Sequence, residues 1–256
     1  MASPKMFDLN GRVAVVTGGS RGLGLAMSRG LAQAGATVAI ASRKIQSCEA
    51  VASEIIAGGG LASAHAFDAG SWEQCDKLFE EVTARWGGAN ILINNVGKSP
   101  VAPSSLETSE KLFDMIIGVN LKTAFRLSAL FGSQMKAAGR GAIINISSSG
   151  ALRPDPSFAP YAAAKLGLTV FTTTFAQEYG PQVRVNTVMP GPFHTEATAA
   201  WSRSESFAKH ARGSMPLQRA GEPSEIVGAV LYLVSDHASF TTGATLNVDG
   251  GFSSAR

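Results

Sequence analysis

The chain has 256 residues, enough for one large domain and awkward for two. Hydrophobic residues make up 45% and charged residues 16%, so a sizeable core can form and long disorder is excluded. The net charge of +3 is small and its basic residues are scattered, so nucleic acid is not an implied partner.

The N-terminal stretch MASPKMFDLNGR has no apolar signal core, and the first apolar run, VAVV, is too short to cross a membrane. Two cysteines, Cys48 and Cys75, make neither a disulfide framework nor a metal-ligand spacing, so no metal is expected. A reducing cytoplasm is the expected compartment.

Seven short runs, all but LASAHAF carrying β-branched residues, are predicted as strands: RVAVVT (12–17), ATVAIA (36–41), LASAHAF (61–67), NILINN (90–95), GAIINIS (141–147), QVRVNTV (182–188) and ATLNV (244–248). Between them lie alanine-rich stretches with apolar residues at i, i+3 and i+4, such as GLAMSRGLAQAG and QCDKLFEEVTARWG. This alternation predicts an α/β fold over residues 1–256. Its form is a single doubly wound, Rossmann-type parallel sheet of about seven strands with helices on both faces. Residues 191–223 break the rhythm. They are small, polar and aromatic without a strand, and long insertions after strand ends in such folds shape sites; about 193–215 is expected to act as a substrate lid.

Directly after the first strand comes TGGSRGLG (17–24). Gly18, Gly22 and Gly24, with Ser20, Arg21 and Leu23 between them, give a tight turn at a helix N-terminus, where a pyrophosphate can approach backbone N–H groups. The phosphate-loop ending G-K-[ST] is absent, which disfavours a nucleoside triphosphate. At the end of the second strand a free ribose 2′-hydroxyl usually meets an acidic residue. Here Ser42, Arg43 and Lys44 stand instead, with Arg21 in the turn itself. That positive set favours NADP(H), with NAD(H) the alternative. Further on, SFAPYAAAKLG places Tyr161 and Lys165 four apart, hence on one helix face. A nearby ammonium stabilises a phenolate and would lower the phenol pKa, making Tyr161 a candidate acid and base.

Together, TGGSRGLG, Asp68 after the third strand, NNVG (94–97), Asn120 in GVNLKTAF, Ser148 in NISSSG, Tyr161, Lys165 and PGPFHT (190–195) resemble the short-chain dehydrogenase/reductase family over nearly the whole chain. RVNTVMPG, PLQRAGEPSEI and TTGATLNVDGG extend the likeness. Ser148 precedes Tyr161 by thirteen residues, the family's separation. The resemblance implies a catalytic set of Asn120, Ser148, Tyr161 and Lys165. Tyr161 would exchange a proton with a carbonyl or alcohol oxygen, Ser148 would hydrogen-bond that oxygen, Lys165 would hold the nicotinamide ribose, and Asn120 would hold a relay water. It also implies cofactor contacts from Asp68 and Ala69 at the adenine, Asn95, Val96 and Gly97 at the ribose, and Pro190, Gly191, Phe193 and Thr195 at the nicotinamide. Asn94 is expected to be structural, and Val96 stands where the family usually has alanine.

The resemblance further implies a small-molecule carbonyl or alcohol substrate and a homotetramer, with a dimer as fallback. One interface would use helices around 105–136 and 159–180, the other the C-terminal region. Candidate pocket residues are Ser99, Pro100, Val101, Ala151, Leu152, Arg153 and Asp155. Arg153 is either a carboxylate holder or a solvated loop arginine. His194 either meets substrate or is a loop histidine, and Trp201 and Phe207 either close a lid or pack on the body. AQEYGPQ, neutral to acidic, counts against an acyl-carrier substrate. A sugar-acid or polyol dehydrogenase, a broad ketone reductase and a non-catalytic dinucleotide-binding regulator stay open, the intact four-residue set favouring an enzyme.

Overall fold

Seven short runs become seven strands, and all but the exposed edge strand β7 bury most of their side chains on both faces. They are β1 (Val13–Thr17), β2 (Thr37–Ser42), β3 (Ala62–Ala66), β4 (Ile91–Asn94), β5 (Gly141–Ile146), β6 (Val183–Pro190) and β7 (Thr245–Val248). In this computed structural model, which describes residues 6–253, all pairings are parallel and the order is β3-β2-β1-β4-β5-β6-β7. Residues 1–5 and 254–256, at the ends of the expected domain, lie outside the described residues.

Alternate residues of each strand serve two apolar layers. Ala14, Val16, Val38, Ile40, Ile91, Ile93 and Ile144 pack with helices α1 (Gly22–Gln33) and α2 (Ile45–Ala57). Val15, Ala39, Ala41, Leu92 and Ile143 pack on the other side with α3 (Trp72–Trp86). That second layer also takes Leu127, Phe131 and Met135, and Phe175 and Tyr179, from two longer helices described next. Burial at both faces explains why the strands read as continuous rather than alternating apolar runs.

The helix expected around 105–136 begins later. Ser109 caps it, its hydroxyl accepting from Leu112 N at 3.2 Å, and residues 105–109 before it are not helical. It runs as α4 (Glu110–Ile117), one π turn (Gly118–Lys122) and α5 (Thr123–Ala137). The second expected helix is α6 (Ala159–Tyr179). The irregular segment holds α7 (Ala199–Ser202), α8 (Glu205–Ser214) and a single parallel bridge, Phe193 to Gly221. Helix α9 (Val227–Val234) returns the chain to the first layer.

The order places β1 between β2 and β4, with the chain crossing over after β3. In open parallel sheets this reversal leaves a crevice beyond the strand C-termini. Two chain segments meet there: the glycine-rich turn after β1, and Asn95–Lys98 after β4. Thr17 stitches them, donating its hydroxyl to Ile93 O (3.1 Å) and accepting from Asn95 N (3.0 Å) and Val96 N (3.2 Å).

Candidate functional site

The crevice is a cavity of about 270 Å³ lined by Gly18, Ser20, Arg21, Ser42, Arg43, Lys44, Asp68, Ala69, Val96 and Gly97. All ten are among the residues singled out in the sequence. Gly18 and Gly22 carry positive φ (64° and 53°), which L side chains rarely adopt. Gly24 lets α1 pack on the turn: a Cβ there would collide with Gly18 O and lie 2.7 Å from Asn95 Nδ2. Ser20 and Ser42 hydroxyls meet at 2.9 Å, joining the turn to the end of β2. Arg21, Arg43 and Lys44 are exposed at this wall and form no ion pair among the described residues. Three unpaired cations beside a glycine turn and a helix N-terminus fit a phosphorylated dinucleotide, the phosphates facing the turn.

Asn95 does not line the cavity. Its amide donates to Thr17 O (2.8 Å) and Gly18 O (3.3 Å), bracing the turn from behind. Leu23 packs into the core. Asn94 is structural, as expected: its amide donates to Ser128 Oγ and to Asn145 Oδ1, both at 2.9 Å. Asn145 in turn donates to Thr172 Oγ1 (2.9 Å), which meets Thr187 Oγ1 at 2.7 Å. This buried polar ladder ties β4, β5, α6 and β6 together beneath the site.

Four residues from three places converge beside the crevice. Ser148 follows β5 in extended conformation and hydrogen-bonds the half-buried Tyr161 phenol. Lys165, one helical turn further along α6, is buried and donates from Nζ to Ile146 O at 2.9 Å. Ser147, beside Ser148, donates its hydroxyl to Lys165 O (2.7 Å), pinning α6 to the end of β5. Asn120 sits in the π turn and donates to Lys98 O (2.8 Å) and Ile116 O (2.9 Å), while its Oδ1 accepts from Lys98 N (3.1 Å). Gly97 is where these meet: a Cβ there would lie 3.0 Å from Asn120 Oδ1 and 3.1 Å from Lys165 Nζ.

The electrostatics differ from the sequence expectation. Burial pushes the Tyr161 phenol up, and the opposing pull comes from the Ser148 hydrogen bond. Lys165, with its Nζ 5.9 Å from the Tyr161 ring centroid and bonded to a carbonyl, is itself pushed down to about 8 by burial. The ammonium is too costly to bury to dominate its neighbour.

On the far side, Pro190 ends β6, and Gly191 passes so close to Asp249 that a Cβ would lie 2.6 Å from its Cα. Phe193 is buried against Gly221, and Thr195 folds over the glycine turn, 3.5 Å from a Cβ placed on Gly22. Thr198 fixes this turn, its hydroxyl bonding Thr195 Oγ1 at 3.0 Å. His194 Nδ1 meets Ser202 Oγ at 3.0 Å, inside the lid segment. Phe207 is buried and packs with Ala211, Met215 and Phe252, whereas Trp201 is half exposed with its ring centroid 4.5 Å from that of Phe207. Ser47, Phe67, Lys98, Val119 and Glu196 also line the crevice. They were missed in the sequence because each belongs to a neighbouring element and carries no motif.

Among the described residues no group of His, Cys, Asp and Glu could hold a metal ion, and no helix is long and apolar enough to cross a membrane. His65 is buried and bonds Glu81 at 2.8 Å, a pairing sixteen residues apart that spacing does not reveal.

A family model described as enoyl-(acyl carrier protein) reductase matches residues 18–253. An uncharacterized oxidoreductase of Mycobacterium tuberculosis is 38% identical over 247 residues, covering 96% of this chain and 94% of that one. Gluconate 5-dehydrogenase of Gluconobacter oxydans is 34% identical over 252 residues, covering 98% of each. The crystal structure of a gluconate 5-dehydrogenase from Burkholderia cenocepacia, in complex with NADP and tartrate, superposes with a TM-score of 0.92 at 33% identity, covering 98% of each chain.

Proposed function

This chain belongs to the short-chain dehydrogenase/reductase family, and on that premise we propose that it is an NADP(H)-dependent oxidoreductase interconverting a ketone and a secondary alcohol. The observation that carries the reading is the convergence of Ser148, Tyr161, Lys165 and Asn120 beside a crevice walled by unpaired cations. When bound, the nicotinamide cofactor supplies or accepts the hydride.

The chain's own residues do the rest. The Tyr161 hydroxyl, whose pKa burial raises, donates to the carbonyl oxygen in reduction and receives the proton back in oxidation. Ser148, already bonded to that phenol, holds the same oxygen and steadies the charge that develops on it. Lys165 holds the nicotinamide ribose, and its Nζ faces Asn120 across Gly97, the place for a relay water. Arg21, Arg43 and Lys44 hold the 2′-phosphate; Asp68 and Ala69 flank the adenine; Pro190, Gly191, Phe193 and Thr195 frame the nicotinamide end. Gluconate 5-dehydrogenases among the relatives support a polyhydroxy acid as the substrate class.

The test is a screen of ketones, oxo acids and sugar acids in both directions, followed by NADPH and NADH absorbance. Turnover with NADPH on one class supports the reading; tight NADPH binding without turnover of any compound favours a dinucleotide-binding regulator. Arg43→Asp is expected to shift the NADPH-to-NADH ratio of kcat/KM by about 10- to 100-fold toward NADH, the worth of a charge-assisted pair. An unmoved ratio assigns the phosphate to other residues.

The proposed assembly is a homotetramer. Phe113, Phe125, Leu166 and Val170 are exposed on α4, α5 and α6, and Leu246 is exposed on the edge strand β7. Light scattering is expected to give four chains per particle. A dimer would retain one of the two faces, and a monomer would overturn the proposal.

A further inference from the structure

We propose that Arg153 binds a carboxylate on the substrate, so that the enzyme takes oxo acids and hydroxy acids in preference to uncharged ketones and alcohols. This deepens the carbonyl–alcohol reading above and rests on it.

Arg153 lies on the loop that joins Ser148 to the helix carrying Tyr161, just beyond a single 3₁₀ turn at Ser149–Ala151. At about 2 Å of rise per residue, its backbone stands within about 10 Å of that of Ser148. An arginine side chain together with a four- to six-carbon acid spans that gap. The guanidinium is held in place, its Cζ 5.0 Å from the Phe252 ring centroid. Phe252 packs in turn on the lid through Phe207, Ala211 and Met215, with the His210 ring 6.4 Å away. Arg153 therefore sits half-buried where the catalytic loop, the lid and the C-terminal segment join.

Held this way, the guanidinium has no anionic partner among the described residues. Arg12, Arg29, Arg126, Arg140 and Arg219 each pair with a carboxylate, and Arg184 donates to three carbonyls. Arg153 has no hydrogen bond or ion pair among the described residues. The nearest acid on its own loop, Asp155, is committed elsewhere, accepting from Ser157 N at 2.9 Å and from Ser157 Oγ at 2.6 Å. Lys98, beside Gly97 on the crevice wall, has no acidic partner among the described residues either; Asp68 and Glu196 are the acids lining that crevice. A planar, stacked, partly desolvated guanidinium with free N–H edges is built for a two-point hydrogen bond to a carboxylate. Stacking on Phe252 also removes much of the entropy cost of ordering the side chain.

The experiment compares reduction of 5-oxohexanoate with that of its methyl ester, in wild type, Arg153→Leu and Arg153→Lys. Wild type is expected to prefer the acid. The acid-to-ester ratio of kcat/KM is expected to fall by about 10- to 100-fold in Arg153→Leu, with Arg153→Lys between. A merely structural arginine would lower both substrates together and leave the ratio unmoved, which overturns the proposal. Equal turnover of acid and ester by wild type also overturns it, while leaving the carbonyl–alcohol reading intact. Should neither compound be turned over, calorimetric titration with tartrate decides: binding to wild type that is lost in Arg153→Leu upholds the role, and equal or absent binding ends it. Arg153→Lys, which keeps bulk and charge, carries the comparison if Arg153→Leu does not fold.

Discussion

Tyr161→Phe is expected to lower turnover by about 10³-fold while leaving dinucleotide affinity within about twofold. The substitution removes one oxygen and leaves the ring, which packs edge-on against Phe158 at 6.3 Å between centroids. Lys165 keeps its bond to Ile146 O, so the crevice keeps its shape. What disappears is the proton donor and the hydrogen bond to Ser148. The pH dependence follows from the direction in which burial moves the phenol. A raised pKa keeps Tyr161 protonated through neutral pH, so reduction holds its rate well into the alkaline range. Oxidation needs the phenolate and strengthens as pH rises. Steady-state rates in both directions between pH 6 and 10, with NADPH fluorescence titration for binding, check this. Turnover retained in the variant would remove Tyr161 from the proton-transfer role.

Lys165→Met is expected to abolish turnover and yet stabilise the fold at pH 7, by up to about 3 kcal/mol. The ammonium is fully buried, and burial lowers its pKa from 10.5 to about 8. Below about pH 8 both the folded and the unfolded chain carry the charge, and the folded state bears the whole cost of hiding it from water. Between about 8 and 10.5 the folded chain releases the proton while the unfolded chain still holds it, so wild-type stability from this group rises with pH. Above 10.5 the neutral amine is buried at little cost. The advantage of Met is therefore greatest at pH 7 and shrinks through that window. Loss of the bond to Ile146 O works against the gain, which makes the figure an upper one. Chemical denaturation of both proteins at pH 7 and pH 10 measures it. A variant less stable than wild type at pH 7 would show that the buried charge is compensated within the fold.

Most of the frame was legible because it depends on local chemistry. Each short run between turn residues became a strand, and the single reversal in strand order put the glycine turn opposite NNVG. The cationic wall was legible too, since Ser42, Arg43 and Lys44 occupy the end of a strand whose direction the pattern had set. What the sequence left unread was tertiary in cause. Asn95 reads as a ligand contact, yet its amide is drawn into the backbone of the turn across the sheet, a pairing 77 and 78 residues away. The acidity of Tyr161 was misjudged because spacing along a helix reports proximity and not desolvation. Lys98 and Glu196 became visible only when two loops met over one cavity. Helix α4 begins at Ser109's cap because the residues before it hold their own turn, with Ser104 Oγ donating to Glu107 Oε2 at 2.8 Å.

The π turn at Gly118–Lys122 sets a phase. In it the Thr123 N–H reaches back five residues to Gly118 O, so the turn holds one residue more than α4 before it or α5 after it. One added residue advances an α-helix by about 100°. The stripe of α5 that buries Leu127, Phe131 and Met135 is therefore rotated out of line with α4, and the same offset swings Asn120 inward toward Lys98 and Gly97. Shortening the turn by one residue would restore a straight helix of perfectly good composition with its core face and its amide aimed in the wrong directions. Register in this stretch is thus counted by length, and no choice of side chain can stand in for the missing residue.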